Sequence, residues 1–188
     1  MKKVYLLVSL AVFVGFIFQA CSKDGDNDWD ILPSVKVTLN DGDSEQESVS
    51  LGTAAAISWR NFTEITATKI IGGAEKKMII YIKGKSDGDY PVNITAKSLL
   101  DFEFTNFKDN IMNSSTAIYY VSKTEYYLLV DGEITLTDSE QKMMKGTFEG
   151  KVVPAHDLKG KKLQEIEEML DNSSKNITGT FKILSIKF

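Results

Sequence analysis

The sequence holds one cysteine, one histidine and three prolines in 188 residues. A lone cysteine, Cys21, excludes an internal disulfide. With His156 as the sole histidine, the chain also lacks the soft ligands of a zinc site. A Ser-His-Asp arrangement needs a nucleophile and an orienting acid around its histidine. The segment around His156 marks neither, and the residue reads as a loop histidine between Pro154 and a helical pattern. Bases are outnumbered, 22 against 26 acids, and no segment carries a basic stripe, which excludes nucleic acid as a partner. There is no phosphate-binding glycine loop, dinucleotide fingerprint or Gly-x-Ser-x-Gly elbow. A carboxylate pair could serve glycoside hydrolysis, but with 26 acids any such pair is commonplace. The expectation is a chain that is not an enzyme and needs no cofactor or metal. Pro33, Pro91 and Pro154 are well separated and no repeat is visible, so one module is expected over residues 31–188.

What is present begins with a charge-free run. Lys2 and Lys3 precede Val4–Phe18, fifteen residues without a charge. As a helix that run would span roughly 22 Å, short of the ~30 Å hydrocarbon core. A basic start, a short apolar core and a small residue before the cut form the pattern of a secretory signal, here residues 1–20. The segment Phe18-Gln19-Ala20-Cys21 resembles a bacterial lipoprotein box, with Phe18 and Gln19 departing from its commonest residues. The resemblance implies acylation of Cys21 and cleavage before it. At ~0.8 kcal/mol per buried methylene, several acyl chains would hold the protein on a membrane permanently.

Residues 21–30 then turn acidic. From Ser22 to Asp30, five of nine residues are charged, a composition with nothing to bury, and the segment reads as a flexible tether. Ser22-Lys23-Asp24 resembles the export signal of Bacteroidetes-type surface lipoproteins. That resemblance implies an outer-membrane protein exposed at the cell surface; the alternative is the periplasmic face. The aspartates do not form an EF-hand loop. Counting from Asp24, Trp29 and Val35 stand where Gly and Glu are required, and counting from Asp41, Gln46 and Gly52 do. Past the signal, 20 of the 22 bases remain against 26 acids, a net charge of −6.

A period of two dominates the rest. Val35, Val37 and Leu39 alternate with Lys36 and Thr38. The stretch Ala54–Ile71 is rich in Thr, Ile and aromatics and ends at Gly72-Gly73. Met78, Ile80 and Ile82 share one face of the next run, yet Ile79 and Tyr81 lie on the other, so that strand is buried on both sides. Tyr90, Val92 and Ile94 alternate, as do Phe102 and Phe104 within an expected strand Leu99–Phe107. Lys123-Thr124 reads as a tight hairpin. Asp131-Gly132 is a standard type I′ turn dipeptide, the rival reading being one long strand bent by a bulge. Residues 159–172 place Leu163, Ile166, Met169 and Leu170 on one helical stripe, with Asp157 a candidate cap. In the last strand the apolar set changes face between Ile183 and Leu184, which predicts a bulge or burial on both sides.

Asp131–Thr137, Lys145–Gly150 and Ile177–Ile183 resemble an uncharacterised calycin-like family of Bacteroidetes lipoproteins. The resemblance implies an antiparallel barrel of about eight strands with a helix before the last, and brings no catalytic residues. Two-faced apolar strands support a barrel independently; a β-sandwich is the alternative. The expected fold is therefore all-β, an antiparallel calycin-like barrel with one amphipathic helix before the last strand.

Aromatic side chains are the candidate binding set: Trp59, Tyr81, Tyr90, Phe102, Phe104, Tyr119 and Tyr127, with Tyr120 and Tyr126 beside them. The adjacent pairs Tyr119-Tyr120 and Tyr126-Tyr127 must each send one ring outward on a strand. The expected role is a binding module for an apolar or glycan ligand, held in a lumen or at its mouth. The alternative is a structural lipoprotein that docks another envelope protein through an exposed apolar patch. A hydrolase is a third and weaker reading.

Overall fold

The computed structural model describes residues 32–41, 47–59, 61–100, 114–139, 143–173 and 175–187. The signal segment 1–20, Cys21, the tether 21–30, Phe102 and Phe104 lie outside them, as does the side chain of Trp59. Ten strands follow in order: β1 Ser34–Asp41, β2 Glu47–Leu51, β3 Thr53–Trp59, β4 Phe62–Ile71, β5 Ala74–Ile82, β6 Gly88–Asn93, β7 Thr116–Tyr120, β8 Tyr126–Thr137, β9 Met143–Pro154 and β10 Lys175–Lys187. Helix α1 is Ala96–Leu99, α2 is Leu163–Asn172, and Ala155–Asp157 forms a 3₁₀ turn.

The strands form a nearly closed barrel. Neighbours pair in the order β3-β4-β5-β7-β8-β9-β10, and β10 returns to β3 through a parallel seam, Ser185–Lys187 beside Ala56–Ser58. Every other pairing is antiparallel. β1 and β2 extend the ladder beyond β10, and β6 pairs the second half of β8 where β7 has ended. Strand directions follow from this ladder. β1 runs toward the rim that carries the β4–β5 and β7–β8 hairpins. Among the described residues seven strands form the ring and β1, β2 and β6 are added to it, ten in all against the about eight implied by resemblance.

Alternation places Val35, Val37, Ile65, Met78, Ile80, Leu129, Ile134 and Phe148 inside, each with 1% exposure or less. These side chains are shielded from solvent. The wall of β5, β7, β8 and β9 is apolar on its outer face too. Ile79, Ile118, Leu128 and Val153 pair in one row across these four strands, and all are buried. The period-two reading of β5 therefore holds on both faces.

Helix α2 is tied to this wall at its C-terminal end. Lys151 Nζ donates to Leu170 O at 2.9 Å, and the Ser173 hydroxyl donates to Val152 O. Ile166 is fully buried, whereas Leu163, expected on the same stripe, is 40% exposed. The helix begins at Leu163 rather than 159. Asp157 does not cap it; the Glu165 carboxylate accepts from Lys162 N at 2.8 Å and closes the first turn.

Three further expectations are corrected. Leu99, expected to open the strand Leu99–Phe107, instead ends a helical turn over 96–99, which Thr95 Oγ1 caps by accepting from Ser98 N; residues 101–107 lie outside the described residues. Ile183 is buried and Leu184 is 49% exposed, so β10 keeps its alternation there and instead changes neighbour from β1 to β3. Asp131-Gly132 is not a turn. β8 runs through it, bulged between Leu129 and Asp131. The carbonyls at the bulge stay satisfied: Ile94 N donates to Val130 O at 2.8 Å and Thr116 Oγ1 to Leu129 O at 2.7 Å. Gly132 faces Gly150 directly, with φ of +148° and +146°, a region essentially closed to other residues.

Candidate functional site

The tyrosine-rich hairpin β7–β8 builds a cluster of amphipathic side chains. Its turn closes when Val121 N and Ser122 N both donate to Glu125 O, at 3.0 and 3.1 Å. This sets Tyr119 opposite Tyr127 and Tyr120 opposite Tyr126. As the pleat requires, one ring of each adjacent pair faces in and the other out. Tyr119 and Tyr127 are buried at 1% and 4% exposure, while Tyr120 and Tyr126 are half-buried.

The two outward rings lie against each other, centroids 5.5 Å apart and tilted by 36°. His156 joins them from the 3₁₀ turn, because β8 and β9 pair Tyr127 with Pro154. Its ring stands edge-on to Tyr126 at 5.6 Å and to Tyr127 at 6.2 Å. Nδ1 lies 3.4 Å from Tyr126 N and 3.2 Å from Tyr126 O. With the proton on Nε2, the ring accepts from the backbone N–H; with the proton on Nδ1, it donates to the carbonyl. Nε2 is 3.7 Å from the Asp157 carboxylate.

Charged groups frame the rings. Tyr127 OH donates to Glu125 Oε1 at 2.7 Å and accepts from Lys175 Nζ at 3.1 Å. Lys175 also lies 4.9 Å from the Tyr127 ring centroid, and Lys77 lies 5.9 Å from that of Tyr120, both within reach of a cation–π attraction. The Tyr119 hydroxyl is buried and has no hydrogen-bond partner, which costs about 1–3 kcal/mol.

The phenols are held neutral. Burial pushes Tyr119 up to about 12, helped by the Glu125 charge. Tyr120 rises to about 12 through burial and then Tyr126. Tyr126 is raised by burial and by Asp157. Tyr127 is raised chiefly by burial, with Lys175 pulling the other way. At neutral pH the cluster therefore offers hydroxyl donors and ring faces rather than phenolates.

The remaining expected residues fall elsewhere. Tyr81 is buried on the outer face of β5, raised by burial and by Glu64. Tyr90 sits near the other rim, where its hydroxyl donates to Ser86 O at 2.6 Å and its ring covers Gly84. Thus Tyr119 and Tyr127 are brought together and Tyr81 and Tyr90 are not. Tyr120, Tyr126, His156, Glu125 and Lys175 complete the cluster. The doubled tyrosines were visible in the sequence; the histidine, lysine and glutamate had no signal of their own.

His156 Nδ1 is turned to the backbone, and no hydroxyl nucleophile bonds to the ring among the described residues. No group of three or more metal-ligating side chains occurs among them either. Grooves also lie on the outer wall among the described residues. One of about 410 Å³ is lined by Lys36, Thr38, Ser48, Thr147, Glu149, Thr178 and Thr180 around Phe148 and Gly179. Comparison of the chain with family models, with curated proteins and with solved structures finds no match in any of the three.

Proposed function

We propose that the protein is a lipid-anchored, surface-exposed outer-membrane lipoprotein of calycin-like type that binds a glycan without turning it over. The recognition surface is the rim of Tyr120, Tyr126 and His156 rather than a lumen. Half-buried phenol rings offer apolar faces to the C–H side of a sugar. Lys77, Glu125, Asp157 and Lys175 stand around them as partners for its hydroxyls. The observation that carries this reading is the paired Tyr120 and Tyr126 rings, held 5.5 Å apart beside His156. Tyr120, Tyr126 and His156 each keep part of their surface open to solvent, where such a ligand could be met.

Titration calorimetry against a panel of neutral and acidic oligosaccharides tests it. Tyr126→Ala should weaken any binding at least tenfold while Tyr90→Ala, near the other rim, leaves it unchanged. Equal loss in both variants, or loss in neither, would remove the rim assignment.

The second reading is docking of another envelope protein. Ile57 and Leu184 favour it, 48% and 49% exposed on the adjoining strands β3 and β10. In that case Ile57→Asp with Leu184→Asp would abolish co-purification of a defined partner and spare glycan binding.

A further inference from the structure

The β4–β5 hairpin reaches past its neighbours. β3 stops pairing with β4 at Thr68, and β7 stops pairing with β5 at Lys77. Three pairs remain beyond, Lys69 with Lys76, Ile70 with Glu75 and Ile71 with Ala74, closed by Gly72-Gly73. Every residue from 69 to 75 is exposed, with Ile70 at 75% and Ile71 at 37%. A two-stranded ribbon is marginal in water, and folding alone gives no reason to place isoleucines at its tip.

We propose that this ribbon is a membrane-contact element that inserts its tip into the interfacial zone of an anionic bilayer. From Ile70 to Ala74 the tip holds no charge, and three lysines, Lys69, Lys76 and Lys77, stand directly behind it with one acid, Glu75. The ribbon is thus locally cationic in a chain whose net charge is −4, so this is the part an anionic surface attracts. Strand geometry puts Lys69 and Lys76 roughly 3–7 Å behind the isoleucines, matching the ~5–10 Å depth at which interfacial elements bury apolar groups under the headgroups. A protein partner fits less well. Protein interfaces favour aromatics and Arg over Lys, and two isoleucines supply far less than the ~1,000 Å² a stable interface needs.

The test uses the full chain with a reporter at the tip. Ile70→Trp is mixed with vesicles of phosphatidylcholine and phosphatidylglycerol carrying brominated acyl chains. Quenching is compared with the unsubstituted chain, which contributes Trp29 and Trp59, and with Lys85→Trp in the loop at the opposite rim. The expected result is added quenching at position 70 and none at 85. It should weaken about fivefold for each of Lys69, Lys76 and Lys77 changed to Gln, and be lost on pure phosphatidylcholine. Quenching that is equal at 70 and 85, or indifferent to anionic lipid, would overturn the proposal. So would an absence of quenching with Ile70→Asp reducing self-association in sedimentation, which would make the ribbon a protein contact.

Discussion

The ring of Phe148 lies across the backbone of Gly179, its directly opposed partner on β10. A methyl group on Gly179 would stand 2.1 Å from Phe148 Cζ and 2.3 Å from Lys36 O. The next inward pair repeats the arrangement in reverse, with the Phe181 ring over Gly146. Each glycine is the space that a phenyl ring occupies, so the two residue types act as one packing unit.

Phe148→Ala should cost about 3–5 kcal/mol, the range for emptying a buried aromatic site. Gly179→Ala should cost at least about 1–3 kcal/mol, because the ring and the Lys36 carbonyl must both give way. Urea denaturation of each variant checks this. A change below about 1 kcal/mol in Phe148→Ala would mean that the ring faces solvent.

Gly132→Ala and Gly150→Ala should each destabilise the barrel by about 1–3 kcal/mol from backbone conformation alone. The added carbon adds to this, since it would meet Glu149 O or Asp131 O at 2.1 Å across the ladder. Thermal melts that leave both variants at the unsubstituted midpoint would disprove the close approach of β8 and β9.

Stability should fall at alkaline pH. Tyr119 and Tyr120 titrate near 12 in the fold, against ~10 in the unfolded chain. Below pH 10 both states keep their protons and the contribution is fully present. Above it the unfolded state binds fewer protons, so stability declines from about pH 10 to about pH 12. Absorbance at a phenolate wavelength should show a late-ionising group of tyrosines lost together with folded structure. Tyrosines that all ionise near 10 in a still-folded protein would contradict the buried hairpin.

Cys21→Ala should move the protein from the membrane fraction to the soluble fraction, since the substitution removes the acyl attachment point. Mass spectrometry of the unsubstituted protein should find residue 21 amino-terminal and acylated. Continued recovery of Cys21→Ala with lipid, after the signal has been removed, would remove the anchor from the account.

Where burial alternates along a single strand, the sequence was a good guide. Val35, Val37 and Leu39 share one buried face, in line with their alternation, and the doubly apolar row of β5 is covered on both faces. The hairpin at Lys123-Thr124 was equally legible from its local residues. Gly132 was ambiguous because Asp-Gly favours positive φ in a turn and in a bulged strand alike. What selects the strand is Gly150, a partner that only the β8–β9 register supplies. The change of β10 from β1 to β3 is likewise a long-range event with no local mark. The same limit applies to the rim. Doubled tyrosines foretold one ring in and one out, but His156 meets Tyr126, thirty residues away in the chain, only because β8 and β9 pair at that point.

Chemical-shift mapping of the isotopically labelled protein during oligosaccharide titration tests the central claim most directly. Perturbations should be confined to Tyr120, Tyr126, His156 and their neighbours at the β7–β8 rim, with the methyls of Met78, Ile80 and Met144 unmoved. Shifts centred on those interior methyls would place the ligand in the barrel and contradict it.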